Sequence, residues 1–189
     1  MHKDKNKSAA FTLFEIIVVV AIVGLTLPVV FSLFFAFLRQ QVKVYRLTEV
    51  KRQGDFAVRV IENTIKTHAN TITKDASGVV VCKIPESDTV YGFKDRFNNE
   101  FRFFISGGSR ISSAVTNLPP APTLPIGGGD LTNDKVTISG FTLTCSRSTQ
   151  FSPPVINMSF QVDYNPTDPG RPEEQATLRY QSTIKLRNL

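Results

Sequence analysis

From Phe11 to Leu38 the chain runs for 28 residues with no Lys, Arg or Asp and a single Glu. A helix rises about 1.5 Å per residue, so this stretch exceeds the roughly 30 Å of a bilayer core. It is also longer than the about 7–15 apolar residues of a secretory signal. The expectation is a spanning helix and not an ordinary cleaved signal peptide. Ahead of it lies MHKDKNKSAA, with Lys3, Lys5 and Lys7 against Asp4. Positive flanks stay cytoplasmic, which puts the leader inside and residues 39–189 outside. Arg39, Lys43 and Arg46 beyond the span oppose this orientation. The nearness of the apolar segment to the N-terminus favours it.

Glu15 is the one charge inside the apolar run. At a bilayer centre a charge costs about 2.5–3.5 kcal/mol on insertion scales. Near a helix start the carboxylate can instead sit at the interface, beside the positive end of the helix dipole. An interfacial carboxylate with no further role is therefore one reading of Glu15.

The neighbouring residues point to another. The run KSAAFTLFEIIVVVAIVGLTLP resembles the class III signal of type IV prepilins, in the order Phe11, Thr12, Leu13, Phe14, Glu15. The resemblance covers about the first 40 residues. It implies that a prepilin peptidase cuts between Ala10 and Phe11 and that the new Phe11 amine is methylated. It also implies that Glu15 neutralises the Phe11 amine of a neighbouring subunit, making it an assembly residue. The family usually has Gly where this chain has Ala10, which is small enough for the same peptidase pocket. Pro28 lies nearer the N-terminus than the family's usual helix proline. The ending TLRYQSTIKLRNL is similar to the closing strand of minor pilins and pseudopilins of the W and J types. The implied partners are other pilin or pseudopilin subunits, the peptidase, an ATP-driven inner-membrane assembly platform and membrane lipid. The implied location is the inner membrane in a single pass, then an exterior filament. A type IV pilus, a type II secretion system and a competence system all use this design.

Past Arg39, Val42, Tyr45, Val50, Ala57, Val58, Ile61 and Ile65 recur near helical spacing. A helix from about Thr12 to Thr67 would be roughly 80–85 Å long. Pro28 lacks an N–H and crowds the preceding turn, so with Gly24 it predicts a kink or melted segment over residues 22–30. Gly54 is a second weak point. The reading divides the chain into a basic leader (1–10), a spanning or filament-core helix (11–38), an amphipathic extension (39–70) and a β-rich globular part (71–189).

In the globular part GVVVCKI, TVYGF, EFRFFIS and KVTISGFTLTC read as strands, with KDRFNN as a turn and Gly140 as a bulge. Ile156, Met158, Phe160, Val162 and Tyr164 alternate on one face; Ala176, Leu178, Tyr180, Ser182, Ile184 and Leu186 do so on another. Such alternation implies antiparallel strands with one buried face. The fold class is α+β, a long N-terminal helix packed against an antiparallel β-sheet. Residues 115–135, with four prolines and three consecutive glycines, read as a loop without regular structure.

Cys82 and Cys145 lie in the exterior part, where an even count favours one disulfide. Two unpaired thiols buried in the sheet are the other reading. Asp130, Asn133 and Asp134 suit either a calcium site or plain turns, and calcium needs more convergent oxygens than this spacing offers. His68 is the lone His outside the leader and reads as a helix-end surface residue. Asn157-Met158-Ser159 meets a glycosylation pattern inside an expected strand. No paired-carboxylate, zinc or nucleotide signature stands out, so neither an enzyme nor a cofactor is expected. The formal charge is +6, and +4 without the leader. That surplus would attract nucleic acid or anionic lipid, or be simply a solvated surface. The competing function class is a singly anchored binding protein, an adhesin or DNA-uptake receptor, that never polymerises.

Overall fold

The computed structural model describes residues 12–74, 82, 88–116, 128–149, 152–164 and 175–186. The fold is α+β: one long apolar N-terminal helix, packed over its C-terminal half against antiparallel sheets. Helix α1 spans Leu13–His68, 56 residues. Two compact units divide the chain, Met1–Val42 and Lys43–Leu189.

In the first unit α1 begins where the Thr12 carbonyl accepts from the amides of Glu15 (3.1 Å) and Ile16 (3.3 Å). The helix then runs unbroken through Gly24 and Pro28. Of the kink or melted segment expected over residues 22–30, the melted form is thus corrected. Proline deletes one donor, but helical turns on both sides propagate cooperatively across that single gap.

In the second unit α1 ends at His68 with Lys66 in its last turn, where the lysine's positive charge suits the negative end of the dipole. Asn70 then donates its backbone N–H to the Lys94 carbonyl at 2.8 Å and the chain enters strand β1, Thr71–Thr73. The further strands are β2 (Asp88–Thr89), β3 (Gly92–Lys94), β4 (Glu100–Ser106), β5 (Arg110–Thr116), β6 (Gly129–Asp130), β7 (Val136–Ser146), β8 (Val155–Tyr164) and β9 (Thr177–Lys185). They form two sheets, in the orders β1-β3-β4-β5-β6 and β2-β7-β8-β9, and every pairing is antiparallel.

The division into two sheets departs from the single sheet read from the sequence. Its cause sits inside TVYGF, which is not one strand. Val90 donates its backbone N–H to the Leu143 carbonyl of β7, and Tyr91 donates to the Thr73 carbonyl of β1, both at 2.9 Å. Two adjacent amides thus bond to different sheets, and the chain crosses between them. Strand β5 goes unmarked in the sequence, and its last residues Val115 and Thr116, like the short β6, fall within the stretch read as an irregular loop. Residues 117–127 lie outside the described residues, as does the GVVVCKI segment apart from Cys82.

Local chemistry explains the remaining turns. Asp95 Oδ1 accepts from the amides of Phe97 and Asn99, each at 2.8 Å, and closes the turn that KDRFNN predicts. Gly107 and Gly108 have φ of 58° and 74°, the left-handed pair that a tight hairpin needs between β4 and β5. At Gly140, φ 62°, the β7–β8 register shifts between Ser139 and Thr142, so the expected bulge is present.

The core gathers Val50, Ala57, Ile61 and Ile65 of α1 with Phe93 and Phe101 of one sheet and Ile156, Met158 and Ile184 of the other. Phe93 and Phe101 stack at 5.3 Å. Cys82 and Cys145 are joined by a disulfide, Cα to Cα 5.4 Å, 63 residues apart in sequence.

Candidate functional site

The first turn of α1 combines two polar residues with the start of the apolar run. Thr12 Oγ1 accepts from the Glu15 amide at 3.4 Å, so Thr12 caps the helix. Thr12-Leu13-Phe14-Glu15 has the spacing of a capping box, a signal that the sequence reading passed over. Glu15 is exposed and stands in the first turn, where the helix dipole favours an anion. Capping alone explains a carboxylate near this position. It does not explain why an uninterrupted apolar surface follows. Ala10 and Phe11, the expected cleavage and methylation residues, lie outside the described residues.

Among the described residues, one helix is long and apolar enough to cross a membrane. None of its most apolar window is buried by the rest of the protein. Phe14 is 74% exposed and Leu25 76%. Removing such a side chain from water stabilises by about 1.5–3 kcal/mol, so a run of them calls for lipid or other helices. Between Ile16 and Leu38 the polar side chains are Thr26 and Ser32. Both hydroxyls donate to helix carbonyls, Thr26 to Val23 at 3.3 Å and Ser32 to Val29 at 2.8 Å. Both side-chain hydroxyls are therefore satisfied within the helix, as a hydrocarbon environment requires of polar groups.

In the second unit, polar anchors that the sequence did not reveal hold α1 to the strands and loops. Glu49 is only 8% exposed. Its carboxylate accepts from Arg52 (2.7 and 3.1 Å), Gln53 (3.1 Å) and Asn133 (3.2 Å). The bonds from Arg52 act most strongly to lower its pKa, which falls to about 2 although burial opposes the shift. Glu62 accepts from Ser182 of β9 and from Lys66 at 2.9 Å, and these two bonds also hold its pKa down. In a sequence rich in solvated charge, neither Glu carries a mark of burial.

The loop oxygens weighed for calcium are used separately. Asp130 bonds to the Ser112 hydroxyl and pairs with Arg110 at 3.0 Å, while Asn133 Oδ1 accepts from the Lys135 amide at 3.1 Å and its Nδ2 donates to Glu49. Among the described residues no group of three or more His, Cys, Asp or Glu is placed to hold a metal ion. His68 closes α1 and is half-buried, and Asn157 lies exposed within β8. Comparison with protein-family models, with curated proteins and with solved structures gives no match.

Proposed function

We propose that this chain is a minor pilin or pseudopilin, a filament subunit made as a membrane-anchored precursor. The observation that carries the reading is Glu15, four residues past Phe11, in the first turn of a helix with an exposed apolar surface. In this account the peptidase cuts before Phe11 and leaves a positive amine. That amine and the Glu15 carboxylate are each costly in hydrocarbon. Paired between neighbouring subunits they become one neutral site, which favours docking in a single register. The apolar surface of residues 13–38 passes from lipid to neighbouring helices as the subunit is extracted. Residues 43–189 remain outside the membrane and supply the filament's exterior.

The test is Glu15→Ala in cells that make the peptidase and the assembly machine. The expected result is a processed protein that stays in the membrane fraction and disappears from sheared filaments. Equal recovery of the variant in filaments contradicts the proposal. A protein that neither loses its leader nor enters filaments is instead a singly anchored binding protein.

A further inference from the structure

The bulge at Gly140 opens a cleft of about 280 Å³ on the sheet formed by β2, β7, β8 and β9. Gly140 has no side chain, and a Cβ built there would meet nothing within 4 Å. Ser139, Ser159, Gln161, Arg179 and Gln181 bring hydroxyls, amides and one guanidinium to its walls.

These groups form an ordered chain. Asp163 Oδ1 accepts from Thr177 (2.6 Å) and Gln161 (3.0 Å); Oδ2 accepts from Gln161 (3.1 Å) and Ser139 (3.5 Å). Fixing the Gln161 amide nitrogen on Asp163 turns its Oε1 toward Arg179, whose Nε donates to it at 2.9 Å. The carboxylate on this face is thus occupied by neutral donors, and Arg179 is oriented through an amide. Among the described residues the Arg179 Nη groups have no carboxylate partner. A guanidinium held at Nε presents a planar fork that matches a carboxylate bidentately. Ser159 already shares a hydrogen bond with Thr142 at 2.8 Å and Ser139 donates to Asp163, so their oxygens and the Gln181 amide are what the hydroxyls of a sugar ring would meet.

We propose that this cleft binds a carboxylate-bearing sugar, a uronate residue of an acidic polysaccharide. The cleft lies just below the roughly 300–1,000 Å³ typical of ligand pockets, a size for one monosaccharide unit. One fork and a few neutral hydrogen bonds on an exposed sheet face give weak single-site binding, of about millimolar Kd.

The test uses the full chain in detergent micelles, titrated with glucuronate and followed by ligand-observed NMR. Glucuronate is expected to bind at least tenfold more tightly than glucose. Arg179→Gln and Arg179→Lys should each weaken it about tenfold or more while leaving the unfolding midpoint unchanged, since the residue is on the surface. The lysine variant keeps the charge and loses the fork. Glucuronate binding unchanged in Arg179→Lys overturns the proposal, as does glucose binding equal to glucuronate. Inorganic phosphate displacing glucuronate at equal concentration also overturns it, because the site is then a general anion site.

Discussion

Gly54 of α1 lies directly against the ring of Tyr180 on β9: a methyl group built at Gly54 would overlap the ring at Cε2 and Cζ. The ring is fixed on its other side, where it stacks on Phe160 at 5.2 Å and 14°. Its hydroxyl donates to the Lys51 carbonyl at 3.1 Å, one turn back along the helix. The glycine that reads as a weak point of α1 is therefore where the helix backbone admits the Tyr180 ring.

Gly54→Ala should consequently destabilise the protein. Alanine is the better helix former by about 1 kcal/mol, but overpacking a fixed contact costs about 1–3 kcal/mol. Gly24→Ala is the control, because nothing lies within 4 Å of the added methyl. Urea unfolding of residues 43–189 within the full, detergent-solubilised chain should show the loss for Gly54→Ala alone.

Glu49 makes stability depend on acid. Its folded pKa of about 2 lies below the 4.5 of an unperturbed Glu, so its contribution is complete above pH 4.5. The contribution is lost as pH falls from 4.5 toward 2, and Glu62, shifted the same way, adds to the slope. Glu49→Gln should cost about 1.5–3 kcal/mol at neutral pH, the range for hydrogen bonds to a charged group. It should also flatten the dependence of the urea midpoint between pH 5 and pH 2.5. An unchanged slope would assign acid sensitivity to other carboxylates.

Tyr180 should make stability depend on alkali. Burial of the ring, then the nearby Asp55 charge, raises its pKa from 10.0 to about 12. The folded state holds this proton more tightly, so stability present below pH 10 is lost as pH rises from 10 to 12. Tyr180→Phe should remove that loss, read as the unfolding midpoint between pH 9 and pH 11.5, and should not relieve the clash in Gly54→Ala.

Reduction of the Cys82–Cys145 bond should also destabilise the second unit. Closing a loop of 63 residues restricts the unfolded chain by about 4 kcal/mol in the entropic model, and measured effects commonly reach about 2–4 kcal/mol. Unfolding with and without reductant, compared with a Cys82→Ser/Cys145→Ser variant, measures it. Identical midpoints would show that the bond restrains nothing that folding has not already fixed.

The parts of this fold that were legible in the sequence are those where one physical demand acts alone. The apolar run, with the helical spacing of apolar residues beyond it, marks α1 as Thr12–Thr67 against Leu13–His68 observed. Alternation gave β8 and β9, and an isolated glycine gave the β7 bulge. Strand β5 was missed because Ser112 and Ser113 are buried beside Ile111, so its buried face lacks an apolar rhythm. The division into two sheets depends on where two amides bond, Val90 and Tyr91, and hydrophobic pattern does not record that. Glu49 is buried because Arg52, Gln53 and Asn133 surround it, and Asn133 is 84 residues away in sequence. At the candidate site the sequence marked Glu15 by its isolation, while the cap from Thr12 passed unnoticed beside it.

The central claim turns on the state of the N-terminus in cells. Mass spectrometry of the N-terminal peptide, from the protein co-expressed with an active prepilin peptidase, reads cleavage and methylation together. The account predicts a mature chain beginning at N-methylated Phe11. A chain that keeps residues 1–10, while a control prepilin in the same cells is processed, contradicts it.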